Sequence, residues 1–211
     1  MFYLNIMELF MNKKTLLSLI VVSALSLFVT AEELPQPGTF NAGLQVSSGN
    51  IDHDSFGNDK DGVAQVMLYV DYYFKPGWAV EVGLNKGSNV QDWICENDDA
   101  DEDYCVSDDE SNPDSFKSDL DYTNFIVAVR FDTALTEHNF IYGKLGAQYF
   151  DYEMTNNNNN VFEEDSGTGI YSELGWKYQW SNNVNLNVGY QHIAMSNLTT
   201  SSLAIGIGYR F

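Results

Sequence analysis

The chain is 211 residues long and carries 30 Asp and Glu against 10 Lys and Arg, a formal charge of −20. Proteins that hold phosphate backbones do so with Lys and Arg in excess, so nucleic acid is excluded as a partner. Two cysteines and three scattered histidines give no zinc cluster, and no glycine-rich phosphate loop is present, so no cofactor is expected.

In chain order, Met11-Asn12-Lys13-Lys14 is basic, Thr15 to Thr30 is apolar, and Val29-Thr30-Ala31 is a small-residue cleavage pattern. Residues 1–31 are expected to be a signal peptide, with Met11 its true start and residues 1–10 an upstream extension of the reading frame. The apolar run is shorter than the roughly 20 residues of a transmembrane helix. Residues 32–37 form a short N-terminal segment, and 38–211 are long enough for one domain.

That domain divides into eight runs that alternate apolar and polar residues, the pattern of strands whose side chains point to opposite faces in turn. They are Gly38 to Ser48, Val63 to Phe74, Trp78 to Lys86, Asp119 to Phe131, Phe140 to Tyr152, Thr168 to Trp180, Asn183 to Tyr190 and Ser202 to Phe211. Lys75-Pro76-Gly77 reads as a tight turn, since Pro presets its first position and Gly accepts positive φ. Gly87 to Ser118 is a long polar connection, Asp132 to Asn139 a modest one, and Ala194 to Ser201 a short loop.

On each run the apolar face is continuous and the other face is small or polar, as in Leu203, Ile205, Ile207, Tyr209 and Phe211 against Ser202, Ala204, Gly206, Gly208 and Arg210. A soluble sandwich turns its large apolar face to a core. A membrane barrel turns it to lipid and fills its lumen with the small and polar residues. Three features select the barrel. The runs are about ten residues or slightly longer, enough for a tilted strand to cross a bilayer. Long and short connections alternate. Aromatics gather at strand ends, where amphipathic rings meet the membrane interface: Tyr72, Phe74, Trp78, Phe131, Trp176, Tyr178, Trp180, Tyr209 and Phe211 at one end, Tyr122, Tyr149, Tyr152 and Tyr190 towards the other. The expected fold is all-β, an eight-stranded antiparallel up-and-down transmembrane β-barrel.

The signal peptide, the eight runs and the terminal Gly208-Tyr209-Arg210-Phe211 resemble small outer-membrane β-barrels of Gram-negative bacteria: the OmpA transmembrane domain, OmpX, Ail and opacity-type proteins. The resemblance implies a place in the outer membrane, among its lipid and lipopolysaccharide. It also implies that Leu203, Ile205, Ile207, Tyr209 and Phe211 are a signal read by the barrel-assembly machinery. Function in such barrels is not set by fold. The first expectation is a non-enzymatic protein of envelope integrity or surface interaction; a narrow channel and a lipid-modifying enzyme are the alternatives.

Parity directs Asp71, Glu81, Arg130, Lys144, Glu173, Lys177 and Arg210 inward. An eight-stranded barrel is just wide enough for its side chains, so these charges must pair. The expectation is a salt-bridge network that plugs the lumen, as the OmpA resemblance also implies; a gate or narrow ion path is the competing reading. Between Asn89 and Ser118, Asp92, Glu96, Asp98, Asp99, Asp101, Glu102, Asp103, Asp108, Asp109, Glu110 and Asp114 crowd together. A solvated, self-repelling loop is expected there, with weak divalent-cation binding the alternative and no EF-hand spacing. Cys95 and Cys105 lie inside it and read as a loop disulfide in an oxidising compartment. His192 and Ser196 faintly resemble the dyad of the lipid A 3-O-deacylase PagL, but their separation is four and no acid lies on the last strand. His53 and His138 read as isolated and exposed.

Overall fold

The computed structural model describes residues 34–53, 61–90, 93–96, 104–106, 115–156 and 160–211. The signal-peptide reading, and most of the acidic stretch between Asn89 and Ser118, fall outside these. No helix occurs among the described residues.

Ten strands are present: β1 Phe40–His53, β2 Asp61–Lys75, β3 Trp78–Asn89, β4 Trp93–Glu96, β5 Tyr104–Val106, β6 Ser115–Ala134, β7 Asn139–Asn156, β8 Val161–Gln179, β9 Val184–Met195 and β10 Leu198–Arg210. Eight of them pair in the order β1-β2-β3-β6-β7-β8-β9-β10, and β10 returns to β1. The result is a closed, wholly antiparallel eight-stranded barrel with no free edge along its wall. The two short strands form a hairpin that extends the sheet beside the start of β6.

The register fixes the barrel's shape. From Phe40 the paired residues run Tyr72, Val80, Val129, Leu145, Ser172, His192 and Ser201, then return to β1 at Asn50, ten residues beyond the start. A shear of ten over eight strands tilts them roughly 40° and gives a backbone radius of roughly 8 Å, room for side chains and little else. Each residue then climbs roughly 2.5 Å along the axis.

The strands are longer than the sequence runs suggest, chiefly at one end; at the other, β6 runs on past Phe131 to Ala134. The supposed loop Ala194 to Ser201 is a tight hairpin turning at Ser196-Asn197. The connection Gly87 to Ser118 contributes the end of β3, the β4–β5 hairpin and the start of β6, and β8 begins at Val161 rather than Thr168. At the opposite end the turns are short. Gly77 takes φ +72° after Pro76, and Asn183 takes φ +68° between β8 and β9.

The extra length has a distinct character. On β7, Ile141, Leu145, Ala147 and Tyr149 face outward, with Lys144 and Gln148 inside. Beyond Tyr149 the faces exchange: Phe150, Tyr152 and Met154 are buried inside, and Asp151 and Glu153 are exposed outside. On β6 the outward series Phe131, Val129, Val127, Phe125 gives way to Thr123, Asp121 and Asp119, while Tyr122 and Leu120 turn in. Tyr122 and Tyr152 therefore do not belong to an outer aromatic belt; only Tyr149 and Tyr190 of that predicted set face outward. The lower part of the barrel is polar inside and apolar outside. The upper part has the ordinary order of a water-soluble protein, with a core of Ile51, Val63, Leu120, Phe150, Met154, Ile193, Met195 and Leu198.

Candidate functional site

The lumen of the lower part is filled by charged and phenolic side chains. Arg130 on β6, Lys144 on β7 and Glu173 on β8 are successive register partners, all directed inward by strand parity. Asp71 on β2 and Glu81 on β3 are likewise opposite each other. Arg130 Nη2 lies 3.1 Å from Asp132 Oδ1 and its Nε 3.1 Å from Oδ2, a two-point grip of the planar kind that Arg favours. Its Nη1 reaches Asp71 at 3.3 Å and Glu81 at 4.0 Å. Lys144 Nζ bridges Glu81 at 2.8 Å and Glu173 at 3.2 Å, and Lys177 Nζ meets Asp132 at 2.9 Å.

Aromatic rings separate the like charges. Arg130 and Lys144 are neighbours in register, and both lie against the Tyr142 ring, at 4.4 and 5.5 Å from its centroid. The Tyr142 and Tyr171 hydroxyls donate to Glu173, and Tyr73 donates to Asp132 at 2.7 Å. Tyr142 spans the lumen only because glycines face its tip: a Cβ on Gly175 would stand 2.5 Å from the hydroxyl, and one on Gly189 2.7 Å. Above the ions lies a layer of amides. Gln65 donates to Ser202 at 2.8 Å, Asn85 to Gln65 at 3.0 Å, and Gln45 to Gln191 at 3.2 Å.

Six of the seven charges read from the sequence thus meet in the lumen. Arg210 does not join them: it is half-buried at the lower mouth, in a recess it shares with Glu137, His138, Gln179, Trp180 and Asn183. Parity gives a face but not a depth, and Arg210 is the last residue of its strand. Asp132 is the residue the sequence reading missed. It looked like the first residue of a connection, yet β6 continues to Ala134, and Asp132 shares the parity of Arg130 two positions earlier.

The upper outer wall is acidic. Asp121, Glu153 and Glu164 are register partners across β6, β7 and β8, with Asp151 and Asp119 close by. Inside that wall Tyr152 donates to Glu163 at 2.9 Å. Burial, then this hydrogen bond, push the Tyr152 phenol above its ordinary range and keep it a neutral donor.

Other sequence candidates fall apart or lie apart. Ser196 is in the β9–β10 turn, and His192 Nδ1 instead sits 3.1 Å from Ser201 Oγ. His138 packs at 5.8 Å from the Tyr178 ring rather than standing free. Cys95 and Cys105 are backbone partners in the β4–β5 hairpin. The side chain of His53 lies outside what is described. At the lower rim, Phe40 stacks on Phe211 at 6.2 Å, and Trp78 lies tilted against Phe131 at 4.8 Å, with all four rings exposed.

A closed barrel with an apolar belt, an aromatic rim and ions inside is the architecture of one class of bacterial membrane protein, and comparison decides it. The family model for the outer membrane protein beta-barrel domain matches residues 17–211. The chain belongs to that family. Its members reside in the Gram-negative outer membrane, and this barrel does so too. Among solved structures it is similar to Ail, the attachment invasion locus protein of Yersinia pestis, at 18% identity and a TM-score of 0.55, covering 83% of this chain and 100% of Ail. It is similar to Neisserial surface protein A at 11% identity and a TM-score of 0.60, covering 82% and 99%. It is similar to OprG of Pseudomonas aeruginosa at 17% identity and a TM-score of 0.51, covering 85% and 99%. At these identities the likeness is one of fold. No curated protein sequence matches the chain.

Proposed function

We propose that this outer-membrane barrel is a closed, non-catalytic surface protein that carries an acidic platform above the bilayer. The observation that carries the reading is the double closure of the lumen. The ion network fills the lower part, an apolar core fills the upper part, and the charged side chains of the one and the core side chains of the other are 4% exposed or less. Ions crossing such a barrel would have to break paired charges and then pass through a dry apolar layer, both unfavourable. Steady large conductance of the reconstituted barrel in planar bilayers would contradict this; silence, or rare small openings, is expected.

The outer wall suggests the ligand class. Ail has been crystallised with the heparin analogue sucrose octasulfate, a polyanion. Here Asp119, Asp121, Asp151, Glu153 and Glu164 face outward on β6 to β8, which opposes polyanions and favours cationic polymers or divalent ions. The register of Cys95 with Cys105 supports a disulfide that ties the β4–β5 hairpin. Retention of Lys-rich peptide by whole cells, lost at high salt and after Glu153→Lys with Glu164→Lys, tests the platform.

A further inference from the structure

We infer that the Asp71–Glu81 pair inside the lumen is a binding site for one monovalent cation. The inference rests on the closed lumen proposed above, and its tests do not depend on conductance.

Among the described residues the lumen encloses four carboxylates, Asp71, Glu81, Asp132 and Glu173, and three cations, Arg130, Lys144 and Lys177, each at 4% exposure or less. Arg210, at the mouth, does not make up the difference. A net charge sealed away from water is strongly unfavourable unless something compensates it.

The shortfall falls at one place. Asp132 is held by Arg130 twice, by Lys177 and by Tyr73. Glu173 is held by Lys144, Tyr142, Tyr171 and Gln45. Asp71 and Glu81 have fewer partners and stand directly opposite each other in register, where like charges repel. Asp71 Oδ2 receives Asn41 Nδ2 at 2.8 Å and Arg130 Nη1 at 3.3 Å, but its Oδ1 has no partner. Glu81 Oε2 has only the Lys144 and Arg130 ion contacts, and Oε1 accepts nothing.

Among the described residues, the surrounding elements supply no fourth positive charge. The buried titratable side chains of the lower lumen around the pair are Tyr69 and Tyr73 on β2, Arg130 and Asp132 on β6, Tyr142 and Lys144 on β7, and Tyr171, Glu173 and Lys177 on β8. A divalent ion would overshoot the deficit. One monovalent cation between two carboxylates balances it, and a proton or an alkali ion has the required chemistry.

The test uses the full chain folded in lipid vesicles. Infrared difference spectra of wild type against Glu81→Gln read the proton, as a protonated-carboxyl carbonyl band present in wild type and absent from the variant. Melting in sodium chloride against choline chloride at equal concentration reads the alkali ion: wild type melts a few degrees lower in choline, and the variant does not. Either signal is the expected result, and the two arms name the occupant. Glu81→Gln leaves three carboxylates against three cations, so it melts at or above the wild-type temperature. Asp71→Asn serves the same purpose if the first variant does not fold. Absence of both signals in wild type, or a melting temperature several degrees lower in both variants, overturns the inference.

Discussion

Replacing Arg130 by Met tests the lumen network at its centre. The guanidinium is fully buried and touches three carboxylates, at 3.1, 3.3 and 4.0 Å. Met keeps most of the volume and removes the charge, leaving Asp132 with Lys177 and Tyr73, and Asp71 with Asn41. Breaking a buried ion pair from one side costs about 3–5 kcal/mol, because the remaining charge is sealed in without compensation. A loss of about 4 kcal/mol is therefore expected. Adding Asp132→Asn removes one stranded charge and should recover part of it, a coupling a double-mutant cycle can measure. The assay is urea unfolding in lipid vesicles, followed by tryptophan fluorescence and by the mobility of unboiled protein on gels. A loss under about 1 kcal/mol, the size of an exposed pair, would refute the claim that these charges are sealed and mutually dependent.

Three further outcomes follow from the same geometry. Leu145→Arg, on the outward face of β7, should cost about 2–4 kcal/mol, whereas Asp151→Arg, above the exchange of faces, should cost almost nothing; folding titrations in vesicles compare them. Gly175→Ala should displace the Tyr142 hydroxyl from Glu173, since a Cβ would stand 2.5 Å from it, and cost about 1–3 kcal/mol by overpacking. Alkylation of denatured protein should label neither Cys95 nor Cys105 before reduction and both after it, by mass; labelling before reduction would contradict the disulfide.

The outward faces were legible because every second residue is a large apolar one without interruption from Phe125 to Phe131 and from Leu203 to Phe211. Strand ends were not, because the reading followed one apolar phase and stopped where it failed. The adjacent rings Tyr149-Phe150 mark the change: Tyr149 is the last apolar residue of the outward face, and Phe150 begins the buried series Phe150, Tyr152 and Met154. A pattern that reverses looks like a loop to any search for a single phase, which explains the supposed loops before Asp119, before Thr168 and around Ser196. Inward charges could be named from parity, but their depth could not. Arg210 and Asp132 were misjudged for that reason, one at the mouth and the other one position beyond a boundary drawn too early. The tyrosines that hold Glu173 were not singled out, since nothing local distinguishes Tyr142 as a donor to a residue on the next strand.

The exchange of faces along single strands is the claim on which belt, plug and platform all depend. Spin labels on single cysteines along β7, in a Cys95→Ser, Cys105→Ser background folded in vesicles, measure it directly through relaxation by oxygen dissolved in lipid and by a nickel chelate confined to water. Labels at Leu145, Ala147 and Tyr149 should respond to oxygen, and labels at Asp151 and Glu153 to the chelate. A label at Asp151 or Glu153 that responds to oxygen alone would place those carboxylates in hydrocarbon and contradict the account.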